Sequence, residues 1–381
     1  MNRKFFVLIA IAVLGLTGCQ KDDEYSGNGI RFSVSTGTEG TKTSYGDVTG
    51  TGTAKKQRID WTIGDQIRIL CPEVSAPSTL YQDYQVTSVA TAANGNSQGK
   101  IALVNANDEP LQWNATANTP HNFYAVYPSP ANRVEGYEVY IGDGNIARTA
   151  IVFPEEETLI DNVTETPASS GNYIVTPDTK YLYMMAQTLG LTEEAAGTRQ
   201  EVFLTFLPVS TAIEFTVTNN FSSEGSMNVQ EVFLNSSAPL WGVTKADFGW
   251  TGSKPVFSTP VSSETLSNAD DIKKTGIVLG SDTKPLTLAY GKTLTFTFFL
   301  PANADITNLT FGITGTNNTT HEGFTRSTAI SKSDGTPIVF GAFQKHFVKG
   351  ILVPEGATWI VAGDVSVTSW NETSVDLNFD E

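Results

Sequence analysis

Ile30-Arg31-Phe32-Ser33-Val34-Ser35 alternates without a break. Ile30, Phe32 and Val34 share one face, and Arg31, Ser33 and Ser35 share the other. A period of two is the signature of a strand with one buried face, because successive side chains of an extended chain point to opposite sides. The same pattern recurs along the chain. Ile59, Trp61 and Ile63 alternate, Gly64-Asp65 turns, and Ile67 and Ile69 resume. Tyr84 to Val89 and Lys100 to Val104 flank a Gly/Asn turn and read as a hairpin. Phe123 to Tyr127 is apolar on both faces, as a central strand is. Further on, Val202, Leu204 and Phe206, then Ile213, Phe215 and Val217, then Leu294, Phe296, Phe298 and Leu300 repeat the pattern. Turn residues separate the runs. The spacing predicts an all-β chain of antiparallel sandwiches rather than a parallel α/β sheet.

Upstream of the opening strand stands a different kind of segment. Arg3 and Lys4 lead into an apolar run from Phe5 to Leu14, followed by Leu16-Thr17-Gly18-Cys19. The run is too short for a mature membrane span and has the layout of a secretory signal peptide. A cysteine directly after Leu-Thr-Gly resembles the bacterial lipobox. There the thiol of Cys19 would receive a lipid through a thioether and become the new N-terminus. Residues 1–18 are then the lipoprotein signal peptide, and Cys19 is the expected contact with outer-membrane lipid. No later apolar run approaches the length of a membrane span, so the lipid would be the anchor.

Composition excludes several function classes. The chain has 381 residues and a formal charge of −16, from 24 basic and 40 acidic side chains. Phosphate binding needs clustered Lys and Arg, so no nucleic-acid partner is expected. Two cysteines occur, and lipidation of Cys19 would leave Cys71 without an intrachain partner. Cys71 reads as a small buried hydrophobe at a strand end. His121, His321 and His346 lie far apart with no metal or triad spacing, and read as surface or edge residues. Gly95-Asn96-Ser97-Gln98-Gly99 matches the nucleophile-elbow pattern, but a strand rather than a helix follows it, so it reads as a hairpin turn. Gly291-Lys292-Thr293 lacks the earlier glycine of a phosphate loop and reads as a turn, and Asp143-Gly144-Asn145 lacks the remaining calcium ligands. No catalytic residue, metal site or cofactor is expected, and the chain is read as a non-enzyme. The segment from Phe153 to Pro177 is acidic and polar and reads as a long surface excursion. Tyr181 to Met185 reads as a strand, with one short helix as the alternative. Polar residues 190–200 place a domain boundary there.

Several segments together resemble the fimbrillin family of Bacteroidales, the building blocks of the pili of those bacteria. They are Ile30-Arg31-Phe32-Ser33-Val34, Thr41-Lys42-Thr43-Ser44-Tyr45, and Ile59-Asp60-Trp61 leading to Gly64-Asp65-Gln66-Ile67. Phe123-Tyr124-Ala125-Val126-Tyr127-Pro128 follows, then Val202-Phe203-Leu204-Thr205-Phe206 with Ala212-Ile213-Glu214-Phe215. The acidic Lys21-Asp22-Asp23-Glu24 behind Cys19 resembles a surface-directed lipoprotein of the same bacteria. The resemblance implies two transthyretin-like antiparallel β-sandwich domains in tandem, no catalysis, and a place in the outer membrane, surface exposed, and in the fimbrium. It implies other pilus subunits as partners and a host or bacterial surface ligand for adhesion. It also implies removal of the first strand by a surface protease of trypsin-like specificity, and filling of the groove by a neighbour's strand. Lys42 is the expected cleavage site, where arginine is usual in the family. The chain thus divides into a pro-segment with the first strand, 19–42, an N-terminal sandwich, 43–199, and a C-terminal sandwich, 200–381.

The donor strand is read from the C-terminus. Val375, Leu377 and Phe379 alternate with Asp376 and Asn378, and Val365 and Val367 precede them on the same parity. They match the three-residue pattern of Ile30, Phe32 and Val34. The alternative, left open, is that Val375 to Phe379 is the last strand of its own sandwich. A second reading from another class is a surface glycan-binding lipoprotein of a polysaccharide-uptake system. Exposed coplanar tryptophans near a groove would favour it. A buried first strand at a sheet edge, with Trp61 in the core, would favour the pilus subunit.

Overall fold

Most runs of period-two alternation become strand, but the run of Ile59, Trp61 and Ile63 does not: its strand ends at Asp60, and Ile63 is exposed in a turn. The computed structural model describes residues 29–36, 44–49, 56–74, 79–91, 97–130, 137–193, 201–221, 225–248, 250–251, 254–255, 273–331, 337–354 and 360–369. Among them the helical turns described end to end are 3-10 turns, Asp143–Asn145, Ile160–Asn162 and Thr179–Tyr181. The all-β reading holds.

The first sheet closes on itself. Its strands run, in spatial order, Arg31–Thr36, Glu201–Pro208, Met184–Leu191, His121–Tyr127, Gln66–Leu70, Tyr81–Thr91 and Ser97–Leu103, which returns to Arg31–Thr36. Closure removes the unpaired edges that an open sheet presents. Alternate residues of its strands fill the interior, among them Phe32, Ile67, Ile69, Val86, Phe123, Val202, Leu204 and Phe206, and Trp61 enters it from the segment after Lys56–Asp60. Cys71 is part of the same core and is fully buried. Burial and the nearby Glu73 carboxylate push its thiol well above the ordinary range, so it is held as the neutral thiol.

Two further sheets face each other. One is ordered Gly323–Ala329, Thr310–Asn317, Ser226–Asn235, Lys274–Val278 and Glu156–Thr158, with Leu286–Ala289 also paired to Ser226–Asn235. The other is ordered Val163–Glu165, Tyr173–Val175, Thr293–Pro301, Ser210–Asn220, Gln344–Pro354 and Ile360–Ser369. Val229, Val232, Leu234, Phe311 and Ile313 from the first pack against Phe215, Val217, Phe296, Phe298 and Val348 from the second. A small sheet of Glu138–Gly142, Ile146–Phe153 and Gly242–Asp247 stands beside the closed sheet. Between them lies a third core containing Ile59, Val126, Tyr137, Ile151, Tyr183, Met185, Trp241 and Phe299.

Three sequence expectations are revised by strand pairing. The first sheet continues past residue 200, because Glu201–Pro208 pairs with Arg31–Thr36 and with Met184–Leu191. The chain turns into the C-terminal sheets only at Ser210–Asn220. The excursion after Phe153 is not loop alone. Glu156–Thr158 pairs with Lys274–Val278, and Tyr173–Val175 pairs with Thr293–Pro301. Strands of three residues are too short to carry a readable period. Four pairings are parallel, those of Arg31–Thr36 with Glu201–Pro208, Glu156–Thr158 with Lys274–Val278, Tyr173–Val175 with Thr293–Pro301, and Ser210–Asn220 with Gln344–Pro354. Each joins segments far apart in sequence, as a parallel pair requires.

The short strand Glu156–Thr158 buries an acid. Glu157 is 8% exposed. Burial and the neighbouring Asp178 carboxylate push its carboxyl up to about 8 from an ordinary 4.5, against the opposing pull of Lys180. A carboxyl whose folded pKa is raised gives its full contribution below about 4.5 and loses it as pH rises through about 8. Glu157→Gln is therefore expected to flatten the fall in melting temperature between pH 5 and pH 9 and to be the more stable protein at the alkaline end. Parallel melting curves for the two proteins across that range would refute the assignment.

Candidate functional site

The strand Arg31–Thr36 sits inside the closed sheet, with a neighbour on each side. It runs parallel to Glu201–Pro208, with Phe32 opposite Val202, Val34 opposite Leu204 and Thr36 opposite Phe206. It runs antiparallel to Ser97–Leu103, with Ser33 opposite Lys100 and Val34 opposite Gly99. Just upstream, the Ile30 amide donates to the Leu111 carbonyl at 2.9 Å, and Gly29 bridges Gln112. The strand is buried, but it does not lie at a sheet edge as the sequence suggested. It is the stave that closes the ring.

Ile30, Phe32 and Val34 all point inward and are at most 5% exposed. Phe32 meets the rings of Tyr84 and Phe123 edge-on, with centroids 5.2 and 5.5 Å away. Val34 lies directly on the backbone of Gly99. A Cβ there would stand 3.0 Å from Val34 Cγ2 and 3.2 Å from Val86 Cγ1. Gly99 thus sets how closely the first strand approaches its antiparallel neighbour. On the outer face Arg31 is exposed, the Ser33 hydroxyl donates to the Glu201 carboxylate, and the Ser35 and Thr205 hydroxyls lie 3.2 Å apart.

The energetics of this strand are closely balanced. Burial of three large apolar side chains contributes about 5–9 kcal/mol. Ordering a strand of six residues costs about 6–12 kcal/mol of backbone entropy. The remaining hold comes from two hydrogen-bonded ladders and from the chain link that keeps the strand beside its groove. Cutting that link gives up an effective concentration of order mM, which against free strand at about 1 μM is worth about 4 kcal/mol. Lys42 falls between Thr36 and Ser44, the first residue of the next strand, Ser44–Thr49. Lys42 itself lies outside the described residues, as do Cys19, Val375, Leu377 and Phe379. Val365 and Val367 belong to Ile360–Ser369, where they pair at home with Val348 and His346. A donor segment at this end of the chain therefore begins beyond residue 369.

The remaining candidates resolve into structure. Trp61 is in the core, 2% exposed, edge-on to Tyr127 at 5.5 Å and Phe206 at 5.2 Å. Its backbone amide donates to Ser97 Oγ at 3.0 Å, so the serine of the elbow-like pattern is a buried acceptor at a strand start. Trp113 and Trp241 are buried as well, which removes all three from any sugar-stacking platform. Two histidines read as surface or edge residues are interior. His121 accepts from the Asn114 amide through Nε2 at 3.0 Å, and its Nδ1 lies 2.8 Å from the Thr119 carbonyl. His346 is fully buried, and burial pushes its pKa down. His321 is exposed. Among the described residues no group of three His, Cys, Asp or Glu could hold a metal ion. No helix among them is long and apolar enough to cross a membrane. Gly99 was missed as a functional residue by sequence reasoning, which placed it in a turn. Its signal is positional, a glycine on the strand that follows that turn.

No family model matches the chain, and no curated protein matches it. Among solved structures it is similar to a candidate cell adhesion protein from Bacteroides ovatus, with 12% identity over 91% of this chain and 99% of that one and a TM-score of 0.46. It is similar to another from Bacteroides uniformis, with 13% identity over 90% and 98% of the chains and a TM-score of 0.44. A fimbrial protein from Bacteroides ovatus gives 15% identity over 91% of this chain and 54% of that one, with a TM-score of 0.29. The residues, not these likenesses, carry the functional reading.

Proposed function

We propose that this chain is a surface-exposed lipoprotein of the outer membrane and a structural, adhesive subunit of a pilus, assembled with other subunits by strand exchange. Lipid on Cys19 holds the precursor at the membrane, and the first strand keeps its own groove filled. Cleavage after Lys42 frees the segment that carries Ile30, Phe32 and Val34, and a neighbour's strand then takes the groove. Val375, Leu377 and Phe379 are the residues that would enter it. The observation that carries this reading is the double pairing of Arg31–Thr36 inside a closed sheet, upstream of Lys42. Its loss exposes two ladders at once, along Glu201–Pro208 and along Ser97–Leu103. Such edges are templates for strand addition.

One experiment tests the scheme in cells. Wild-type protein, Cys19→Ala and Lys42→Gln are expressed in a strain that lacks the chain, and filaments are imaged and fractionated. Palmitate label is expected in the wild type and absent from Cys19→Ala. Filaments are expected from the wild type, with an N-terminus reading Thr43-Ser44-Tyr45, and are expected to be lost or shortened for Lys42→Gln. Filaments of normal length containing the uncut Lys42→Gln chain would sink the strand-exchange reading.

A further inference from the structure

The outer face of the small three-stranded sheet carries a second site, unrelated to the groove. Strand register places Glu138, Ala150 and Lys245 in one row across the sheet, and Tyr140, Arg148 and Asp247 in the next. Neighbours within a row are about 5 Å apart, and the rows are separated by about 7 Å, two residues along each strand. Ala150 is the small residue at the centre of its row. Its short side chain leaves a depression of about 370 Å³ lined by these six residues together with Thr149 and Ala246. That is room for one sugar ring and little more, at the small end of ligand sites.

Two of the polar groups at the depression, Arg148 and Asp247, are paired with each other. Arg148 Nε donates to Asp247 Oδ1 at 3.1 Å. Its guanidinium also lies on Gly142, where a Cβ would stand 2.8 Å from Nη1. The planar fork of Arg148 suits a carboxylate taken by two parallel hydrogen bonds. Lys245 brings a second cation to the neighbouring row. Glu138 supplies hydrogen-bond acceptors, and Tyr140, 40% exposed, offers an aromatic face at the rim. Over the whole chain the formal charge is −16, so an anion gains nothing from the long-range field and has to be recognised locally.

The geometry points to a binding site for a carboxylate-bearing sugar residue of a surface glycan. The carboxylate sits between Arg148 and Lys245, the hydroxyls donate to Glu138 and Asp247, and an apolar face of the ring lies against Tyr140. The site does not depend on strand exchange and works in the precursor and in the assembled subunit alike.

The test is saturation-transfer NMR on the full-length protein with D-glucuronic acid, using D-glucose as the neutral control and acetate as competitor. Glucuronic acid is expected to bind saturably and at least tenfold more tightly than glucose. Arg148→Lys keeps the charge and loses the fork, and Ala150→Leu fills the depression. Each is expected to weaken binding at least fivefold with an unchanged melting temperature. Equal binding of glucose and glucuronic acid, or no saturable binding, overturns the assignment. So does acetate competing as well as the sugar, which reduces the site to an anion contact. Should Ala150→Leu fail to fold, undiminished binding by Arg148→Lys overturns it alone.

Discussion

Glu214→Ala is expected to cost the folded protein about 3–5 kcal/mol, because it removes one partner of a buried ion pair. Lys345 is fully buried, and its ammonium lies 2.8 Å from Glu214 Oε2 and 4.8 Å from the centroid of the Phe347 ring. Burial pushes its pKa down, and the Glu214 carboxylate pulls it back up. The two residues stand on the paired strands Ser210–Asn220 and Gln344–Pro354, the fourth and fifth of the six strands in one of the two facing C-terminal sheets. Without the carboxylate the fold has to bury a poorly compensated cation or give up its proton. Glu214→Gln keeps an acceptor and is expected to lose less. Replacing both partners by apolar residues, Glu214→Leu with Lys345→Met, is expected to fall near the wild type, since it removes the desolvation cost together with the attraction. Urea denaturation of the three variants decides it. A loss below about 1 kcal/mol for Glu214→Ala would place the pair among solvated ion pairs.

The second large effect is expected at Gly99. Gly99→Val puts branched carbon where Val34 Cγ2 is only 3.0 Å from the first added atom. Overpacking of this kind costs about 1–3 kcal/mol. Part of the strain can be relieved by moving Arg31–Thr36 outward, which gives up burial of Ile30 and Phe32 as well. The variant should thus be destabilised by roughly 3 kcal/mol and cleaved faster by trypsin between Thr36 and Ser44. Val34→Ala makes room on the other side of the contact. In the double variant the two losses should fail to add by about 1–2 kcal/mol, as they do for residues in direct contact. Additive losses in thermal unfolding would mean that Gly99 does not set the seat of the first strand.

Both predictions rest on residues whose roles differ in how far they could be read. The inward parity of Ile30, Phe32 and Val34 was legible, because alternation is a local property of an extended chain. The hairpin of Tyr81–Thr91 with Ser97–Leu103 was legible for the same reason, since its turn lies between its own strands. Trp61 is in the core, but alternation does not put it there: the strand ends at Asp60, Ile59 packs in a different core, and Ile63 is exposed. The turn at Gly291 was marked by its residue type and has φ of +71°. Lys345 carried no such mark. It shares the parity of Phe347, and nothing near it in sequence supplies a counter-charge; Glu214 is brought beside it only by strand pairing. His121 follows a proline in a polar stretch, and only the packing of Trp113 and Phe123 around it makes it interior.

The sequence by itself determined that the chain is built of strands, which residues of each strand share a face, and where many of the turns fall. Side-chain alternation and turn chemistry act over a few residues and need no partner. Only the tertiary structure decided that Arg31–Thr36 closes a ring rather than lining an edge, with Glu201–Pro208 parallel on one side and Ser97–Leu103 antiparallel on the other. It also decided that the short strands after Phe153 belong to the C-terminal sheets. The backbone groups that make these ladders are the same at nearly every residue. Which strands pair is therefore settled by how the buried faces fill a common core, and that is a property of the whole chain at once.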